Sequence, residues 1–309
     1  MNILITGSSG FVGKNISKYL NFGSFKLYSL DRFYNNSTLF NKSFTWENFY
    51  ELESHSFDAI IHLAGIAHDT KNSTKTDKYF EINYGLTKRI FDFFLKSNSN
   101  KFIYFSSIKA VLDKTEIKLN EDIIPNPQTP YGLSKLKSEN YIIEKNSNNK
   151  ISFILRPCMI HGPGNKGNLN LLTNFIKIFR FWPLYNFKNK RSFCSIDNLC
   201  FLLERLITDK YLQTSIFNIS DDEAVSTNDL VQIIANSLSI KLSVFKIPKI
   251  IIQLIARIGD FLYLPINTYK LEKLTESYVV SNKKIKRALK INNLPISSKD
   301  GIEKTLKSF

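Results

Sequence analysis

Short apolar runs alternate with amphipathic stretches over the first two thirds of the chain. The apolar runs predict strands at Asn2–Thr6, Phe25–Leu30, Ala59–Leu63, Phe102–Ser106 and Ser152–Arg156. The stretches between the runs predict helices at Phe11–Asn21, Asp77–Ser97 and Pro130–Asn146. Because the strands are almost continuously apolar, we expect both of their faces to be buried. That pattern is typical of an α/β fold, in which helices cover a parallel sheet on two sides.

The pattern becomes looser after Arg156. The segment HGPGNKGN (161–168) is a turn-rich loop, and 216–220 reads as a late strand. The remaining amphipathic stretches predict helices at Leu169–Phe179, Ile196–Thr208, Thr227–Asn236, Pro248–Phe261 and Ser281–Leu289. We therefore predict two units, residues 1–160 with the main sheet and residues 161–309 as a smaller lobe that is partly interleaved with it.

Three glycines follow the first strand within the stretch ITGSSGFVGKNI. In a strand–loop–helix context, Gly7 allows the tight turn and Gly10 lets the backbone approach a pyrophosphate, while Gly13 lets the helix pack closely on the sheet. The N-terminus of the following helix offers free N–H groups and the positive end of its dipole to phosphate. The stretch therefore predicts a dinucleotide-binding loop, which also includes Phe11 and Val12.

A carboxylate follows the second predicted strand, and it bears on the choice of dinucleotide. Asp31 can accept hydrogen bonds from the adenosine ribose, a contact that selects NAD over NADP. The next residue, Arg32, could instead meet a 2′-phosphate, but the neighbouring carboxylate would repel that phosphate. We therefore predict NAD as the cofactor.

Two further stretches carry groups suited to proton transfer. YFSSIKA (104–110) places Ser106 and Ser107 at the carboxyl end of a strand, where ligands bind in open α/β sheets. YGLSK places Tyr131 and Lys135 four residues apart at the start of a helix, on one face. A nearby Lys⁺ lowers the pKa of a phenol, so Tyr131 could exchange a proton with a sugar hydroxyl or ketone near neutral pH.

In this order along the chain, the motifs resemble those of the extended short-chain dehydrogenase/reductases, the nucleotide-sugar epimerases, dehydratases and reductases. The resemblance covers nearly the whole chain and rests on TGSSGFVG, Asp31, IHLAG, INYGL, FSSIK, YGLSK and RPCMIHGPG. It implies a Rossmann-type doubly wound parallel sheet with a smaller, interleaved C-terminal substrate lobe. It also implies that 1–160 is the NAD-binding domain and that 161–309 mainly binds the substrate.

The same resemblance implies roles for single residues. Ser107, Tyr131 and Lys135 would be catalytic, with Tyr131 as the acid/base and Lys135 binding the nicotinamide ribose. Counting back from Ala110 favours Ser107 over Ser106 as the catalytic hydroxyl. The helix asparagine of the family corresponds to Asn83 and would be structural. Other residues expected to line the cofactor are Leu63, Ala64, Gly65, Ser106 and Pro157, and those expected to contact the substrate are Met159, Asn168 and Arg191.

The residues after the catalytic serine separate the reactions of this family. Dehydratases usually carry Thr-Asp-Glu where this chain has Ser107, Ile108 and Lys109, so dehydration is disfavoured. The leading hypothesis is a 4-epimerase of surface-polysaccharide precursor synthesis, acting on a UDP-hexose, a UDP-N-acetylhexosamine or a polyprenyl-diphosphate sugar. The alternative is an NAD(P)H-dependent 4-reductase of a UDP-4-keto-6-deoxy-N-acetylhexosamine. A non-catalytic dinucleotide-sensing regulator is a further alternative, which the intact Ser–Tyr–Lys set argues against.

Charge and composition restrict the classes of binding partner that we expect. The 309 residues include 42 Lys and Arg against 27 Asp and Glu, a net charge of +15 that favours an anionic partner. The chain has no RNA-binding motif, so we expect no nucleic acid. The segments 175–191 and 249–264 combine apolar or aromatic residues with basic ones. Both segments fit ordinary core helices, and they also fit peripheral contact with an anionic membrane.

The remaining expectations concern location, metal and assembly. Three cysteines without a CxxC pair, and no signal peptide or bilayer-length apolar run, favour a cytoplasmic protein. No metal is expected, because the four histidines lack partners at metal-ligand spacing and His62 and His161 are expected to be packed. The family resemblance implies a homodimer built from helices 77–97 and 130–146.

Overall fold

The computed structural model describes residues 1–66, 75–147, 149–165, 168–262 and 267–309, and a seven-stranded parallel sheet lies at its centre. In these described ranges there are eleven strands. In chain order they are β1 Asn2–Thr6, β2 Lys26–Asp31, β3 Lys42–Thr45, β4 Ala59–His62, β5 Lys101–Phe105, β6 Ile151–Pro157, β7 Met159–His161, β8 Phe181–Trp182, β9 Phe193–Ser195, β10 Ser215–Ile219 and β11 Ser243–Val244. The main sheet has the order β10-β6-β5-β4-β1-β2-β3, whereas β11 pairs with β8 and β7 pairs with β9.

Helices lie on both faces of the main sheet and build the C-terminal lobe. Within the described residues they are α1 Phe11–Leu20, α2 Thr76–Tyr79, α3 Leu86–Lys96, α4 Pro130–Lys145, α5 Asn168–Phe179, α6 Ile196–Thr208, α7 Thr227–Ser237, α8 Lys249–Phe261, α9 Thr268–Thr275, α10 Lys283–Ala288 and α11 Ser298–Leu306. Short 3-10 turns cover Phe49–Ser54 and Ile108–Ala110, and a π-helical turn covers Phe80–Gly85.

Alternate residues of each central strand enter two different cores. Ile3 and Ile5 of β1 pack with residues of α1 and α6 on one face. Leu4 packs on the opposite face, in a core that also contains residues of α3 and α4. Successive side chains of a strand point to opposite faces, so a strand between two helical layers must be apolar throughout. The predicted doubly wound parallel sheet is therefore confirmed.

The direction in which successive strands are added to the sheet reverses between β1 and β4, which are hydrogen-bonded parallel neighbours. From β1 the sheet grows outwards through β2 and β3 on one side, and through β4, β5, β6 and β10 on the other. The carboxyl ends of β1 and β4, at Thr6 and His62, lie side by side. Open α/β sheets bind their ligands at such a switch point.

The helix predicted at Asp77–Ser97 is interrupted in the structure. The π-helical turn separates α2 from α3, and the main-chain carbonyl of Asn83 accepts hydrogen bonds from Thr87 Oγ1 at 2.6 Å and Ser138 Oγ at 3.2 Å. Side-chain donors thus occupy a carbonyl that a regular helix would use for its own ladder. The hydrophobic periodicity of residues 77–97 does not predict this π-helical turn.

The C-terminal part of the chain contributes to both the main sheet and a second core. Strand β10 pairs with β6 and forms one edge of the main sheet. The second core packs α5, α7, α8 and α11 around Trp182. Strand β3, the two- and three-residue strands of the lobe, and α9 and α11 were not predicted. The domain boundary at residue 160 stays a prediction.

Candidate active site

The glycine loop after β1 is tightly built against β4 and α1. Gly7 has φ +72°, and a Cβ there would lie 2.7 Å from the backbone nitrogen of Ala64. A Cβ on Gly13 would lie 2.4 Å from the carbonyl oxygen of Gly7. Neither position accepts a larger residue without a backbone shift. Helix α1 starts directly after Gly10, which supplies no side-chain cap, so its first N–H groups could receive a phosphate.

Asp31 ends β2 beside this loop and is almost completely buried. Its carboxylate accepts hydrogen bonds from Ser8 Oγ at 2.5 Å and from Ser9 Oγ at 3.0 Å. Arg32 is exposed, with its guanidinium carbon 5.2 Å from the centre of the Phe33 ring. The structure therefore holds an acceptor at the strand end next to the glycine loop, where a ribose hydroxyl would be bound.

The segment after β4 forms the opposite wall of the predicted cofactor site. The N–H of Leu63 donates to the Thr6 carbonyl and that of Ala64 to Thr6 Oγ1, each at 3.1 Å. A Cβ on Gly65 would lie 2.8 Å from Asn83 Oδ1, so the absence of a side chain allows this close approach. The residues present thus fit a dinucleotide between the two strand ends, with Gly65 facing the π-helical turn.

Ser107 and Tyr131 are brought together by the end of β5 and the start of α4. Thr129 caps α4 by accepting a hydrogen bond from the N–H of Gly132 at 3.2 Å, which places Tyr131 in the first turn. Burial raises the pKa of Tyr131, and a hydrogen bond with Ser107 opposes this rise. The nearby Tyr79, whose ring centre lies 6.1 Å away, adds a smaller increase.

Lys135 lies one turn of α4 after Tyr131 and is buried. Its Nζ donates to the Phe105 carbonyl at 2.9 Å and lies 5.0 Å from the centre of the Tyr104 ring. Burial lowers the pKa of Lys135 to about 8, and the charge of Glu139 opposes this effect. The expected lowering of the Tyr131 pKa by Lys135 is not the net result here. Desolvation of the phenolate is larger than any stabilisation by a partner.

Ser106 has a different environment from its neighbour. Its hydroxyl donates to Glu139, whose carboxylate also accepts from Arg156 Nε at 3.0 Å and from Arg156 Nη2 at 2.5 Å. Glu139 and Arg156 have side-chain exposures of 0% and 3%. This buried ion pair ties α4 to β6 directly beneath the predicted catalytic residues. The hydroxyl of Ser106 is therefore part of this buried structural network, whereas the hydroxyl of Ser107 is hydrogen-bonded with Tyr131.

Asn83 links the π-helical turn to the site. Its Oδ1 accepts from the N–H of Ile66 at 2.7 Å, and its Nδ2 donates to Ser134 Oγ at 3.0 Å. Because Ser134 lies directly before Lys135, these bonds fix the turn, the Gly65 segment and α4 relative to one another. The expected structural role of Asn83 stays a prediction, which these hydrogen bonds support.

Three cationic side chains lie at the border between the site and the C-terminal lobe, those of Lys109, Arg191 and Lys273. Arg191 donates to the Lys273 carbonyl at 2.7 Å and to Glu276 Oε1 at 2.8 Å. Lys109 Nζ lies 4.1 Å from the centre of the Tyr278 ring. Burial lowers the pKa of Lys109 to about 8, and the charges of Lys273 and Arg191 lower it further against the opposing charges of Glu276 and Asp113.

The other predicted substrate residues lie near this border or outside the described side chains. Met159 is half-buried in β7 opposite Phe193, and Pro157 ends β6 in a buried position. Helix α5 begins at Asn168, whose side chain lies outside the described part of the chain. Arg191 contacts the lobe, and its expected contact with the substrate stays a prediction.

The two histidines expected to be packed are buried and hydrogen-bonded. His62 interacts with Thr6 Oγ1 at 2.6 Å and Thr87 Oγ1 at 3.0 Å, and burial lowers its pKa to about 3. His161 Nδ1 lies 2.9 Å from Thr305 Oγ1. Within the described residues, no group of His, Cys, Asp and Glu side chains is arranged to hold a metal ion. His68 lies outside the described residues.

Fold and site together define a Rossmann-type dinucleotide-binding protein with a Ser–Tyr–Lys set beside the cofactor loop. The chain belongs to the NAD-dependent epimerase/dehydratase family, whose sequence profile matches residues 3–220. It therefore belongs to the extended short-chain dehydrogenase/reductases, and membership of this family assigns NAD as the cofactor.

Comparison with individual proteins agrees with this family and includes more than one type of reaction. The chain is 31% identical to a UDP-glucose 4-epimerase of Vibrio cholerae over 249 residues, 77% of this chain and 76% of that protein. It is 27% identical to a dTDP-4-dehydro-6-deoxyglucose reductase of Escherichia coli, over 77% of this chain and 82% of that protein. The fold matches that of MoeE5 in complex with UDP-glucuronic acid and NAD with a TM-score of 0.77 and 17% identity, over 100% and 98% of the two chains. The two relatives named here are thus a sugar-nucleotide epimerase and a sugar-nucleotide reductase.

The sequence reasoning missed the Glu139–Arg156 pair and the cationic position of Lys109. One signal was present for Glu139, because it lies four residues after Lys135 and eight after Tyr131. Residues at this spacing share one face of a helix. A carboxylate on the face that carries two catalytic candidates is therefore directed into the protein and requires a buried cation.

Proposed function

We propose that this protein is an NAD-dependent 4-epimerase of a nucleotide-activated hexose or N-acetylhexosamine. The observation that carries the proposal is the convergence of Ser107, Tyr131 and Lys135 at the strand ends beside the glycine loop. The similarity to a UDP-glucose 4-epimerase supports UDP as the nucleotide. A sugar on a polyprenyl diphosphate is a further candidate substrate, because it presents the same diphosphate group without the nucleotide.

The side chains suggest how the proton at the sugar 4-hydroxyl is handled. Tyr131 takes this proton in the oxidative half-reaction and returns it in the reductive half, while Ser107 holds the same oxygen. Bound NAD supplies hydride acceptance and return at C4. Lys135 would hold the nicotinamide ribose of the cofactor and, when charged, would favour the phenolate of Tyr131. Because burial raises the pKa of Tyr131, its hydroxyl stays protonated unless a positive charge, such as that of Lys135, stabilises the phenolate.

The position after Ser107 supports chemistry at one carbon only. Ile108 is buried and provides no acid. Lys109 Nζ donates to the Asp113 carbonyl at 2.5 Å, on the side of Tyr278. Elimination of water across C5 and C6 needs an acid and a base at those neighbouring carbons. Together with Arg191 and Lys273, which share the single carboxylate of Glu276, Lys109 instead provides net positive charge that suits the diphosphate of the substrate.

The experiment starts from the purified protein with no added cofactor. NAD(H) released on denaturation is measured, and the native protein is incubated with UDP-glucose, UDP-N-acetylglucosamine and polyprenyl-diphosphate N-acetylglucosamine. We expect retained NAD and conversion of one substrate to its galacto isomer without net change in NADH. Tyr131→Phe should abolish conversion, whereas Tyr211→Phe, at a fully exposed tyrosine, should leave it unchanged.

A 4-keto-sugar reductase is the second candidate, favoured by the similarity to a dTDP-4-dehydro-6-deoxyglucose reductase. It would use the same Ser107, Tyr131 and Lys135 but would release its cofactor after each turnover. Stoichiometric oxidation of NADH or NADPH with a UDP-4-keto sugar, and no activity on the three saturated substrates, would establish the reductase. That result would contradict the epimerase proposal.

A further inference from the structure

One helix of the C-terminal lobe exposes most of its apolar residues. In α8, seven large apolar side chains are exposed, with fractions from 45% to 82%: Ile250, Ile251, Leu254, Ile255, Ile258, Phe261 and the following Leu262. At about 100° of rotation per residue these side chains fill one arc of about 140° on the helix. The opposite face, with Ile252, Ala256 and Gly259, is buried in the lobe.

The polar residues of α8 lie along one border of this arc. They are Lys249, Gln253, Arg257 and Asp260, and the carboxylate of Asp260 is engaged by the N–H of Thr268 at 3.1 Å and by its hydroxyl. The apolar face is therefore flanked by two cations, while the carboxylate on the same border accepts hydrogen bonds from Thr268. A helix buried on one side, apolar on the other and basic along its edge has the organisation of an interfacial helix.

A second exposed apolar group lies next to α8 in the fold. Phe179 at the end of α5 contacts Phe181, with ring centres 6.1 Å apart, and Phe181 contacts Phe245 at 5.9 Å. Phe245 follows β11, and only three residues separate it from the start of α8. Phe179 and Phe245 are about half exposed, as is Val244. Three residues of chain thus join α8 to an exposed apolar group that extends over the small β8–β11 sheet to the end of α5.

The charge around this surface is strongly one-sided. Segments 168–190 and 238–262 contain one acidic residue, Asp260, and eight basic residues: Lys177, Arg180, Lys188, Lys190, Lys241, Lys246, Lys249 and Arg257. In the whole chain the ratio is only 42 basic to 27 acidic residues. An apolar face within such a basic surround is complementary to a surface that offers both hydrocarbon and negative charge.

We propose that α8 and the Phe179–Phe245 aromatic group bind the surface of an anionic lipid bilayer. The apolar face enters the boundary between headgroups and acyl chains, and the surrounding lysines and arginines contact the lipid phosphates. The thirteen residues of α8 give a length of about 20 Å, too short to cross the hydrocarbon core. None of the helices in the described residues is long and apolar enough to span a membrane. The helix therefore lies in the plane of the surface.

The test is sedimentation of the full chain with vesicles of phosphatidylcholine alone and of equal parts phosphatidylcholine and phosphatidylglycerol. We expect binding to the anionic vesicles only, and its loss on addition of salt. The double variant Ile251→Gln/Ile255→Gln should weaken binding about tenfold or more, because the apolar burial of two isoleucines is lost. Lys249→Gln/Arg257→Gln should weaken it by removing two phosphate contacts.

Matched controls separate this surface from a general effect of composition. Ile124→Gln changes an isoleucine that is 85% exposed, and Lys210→Gln changes an exposed lysine, both far from α8 along the chain. Neither control should alter binding. All variants change exposed side chains, so melting temperature and turnover of a water-soluble UDP-sugar should stay at the level of the unmodified protein. That readout keeps the proposal independent of the proposed enzymatic function.

Three results would overturn the proposal. The first is absence of sedimentation with the anionic vesicles. The second is equal binding by the protein and by Ile251→Gln/Ile255→Gln. The third is an oligomer that dissociates in this double variant while no vesicle binding occurs, since the face would then be covered by a second copy of the chain.

Discussion

The buried pair of Glu139 and Arg156 offers a sharp test of how the site is supported. Glu139→Gln keeps the shape of the side chain but removes its charge. Arg156 then loses its counter-ion while its side chain remains 3% exposed. Removing one partner of a buried ion pair costs about 3–5 kcal/mol, because the remaining charge stays desolvated and unpaired. A typical domain has only about 5–15 kcal/mol of total stability.

The geometry of this pair supports a cost within the range of about 3–5 kcal/mol. Arg156 makes three contacts of 2.5 to 3.1 Å with both oxygens of Glu139, and the hydroxyl of Ser106 donates to the same carboxylate. The glutamine amide cannot accept all of these bonds, since its NH₂ group is only a donor. We expect Glu139→Gln to lower the free energy of unfolding in urea by about 4 kcal/mol.

Two further variants show whether the lost charge is the cause. Glu139→Met/Arg156→Met removes both charges and should recover most of the loss, because apolar side chains of similar size replace a buried ion pair at little cost. Lys304→Met serves as the control, since it breaks the exposed pair with Asp197 and should cost less than about 1 kcal/mol. A free energy for Glu139→Gln within about 1 kcal/mol of the parent protein would refute the reasoning.

Three more predictions concern the site itself. Gly13→Ala should abolish NAD retention and destabilise the protein by about 1–3 kcal/mol, because the new Cβ would lie 2.4 Å from the Gly7 carbonyl oxygen. The control Gly85→Ala, whose Cβ would meet nothing nearer than 3.9 Å, should change neither property. Cofactor release and thermal melting measure the two effects. Lys135 has a folded pKa of about 8 against 10.5 in the unfolded chain, so the unfolded state binds more protons between these values and stability should rise through that pH window. Lys135→Met should lose this rise, ~3 kcal/mol in urea titrations from pH 8 to 10.5, and an unchanged slope would contradict it. Lys109→Met should raise KM for the nucleotide sugar about tenfold with little change in kcat, whereas Lys114→Met, at an exposed lysine paired with Glu272, should leave initial-rate kinetics unchanged.

The five predicted strands were recoverable from sequence because burial on both faces leaves a continuous apolar run. All five match the structure within one residue at each end, as does the late strand predicted at 216–220, which corresponds to β10. Strand β3, with the sequence KSFT, pairs only with β2 at the edge of the sheet and carries no such run. The two-residue strands β8 and β11 are too short for any periodicity to register.

The site was recoverable to the extent that it depends on local spacing. The glycine loop and the YGLSK stretch place their residues through one turn and one helix face, so the chain order alone located them. The contacts of Asn83 with Ile66 and Ser134 join segments 17 and 51 residues apart, and no local pattern records such a meeting. The same holds for Lys109, whose burial depends on Tyr278 and on residues far along the chain.

The pair Ser106 and Ser107 shows how one extended residue step divides support from chemistry. Ser107 has φ −158° and ψ 150°, so its backbone is extended and its side chain points away from that of Ser106. One hydroxyl therefore enters the buried Glu139–Arg156 network, while the next meets Tyr131. Exchanging the two roles would require a shift of one residue, which would move every side chain of β5 to the opposite face of the sheet. The register of β5 in the hydrophobic core thus decides which serine can act on the substrate.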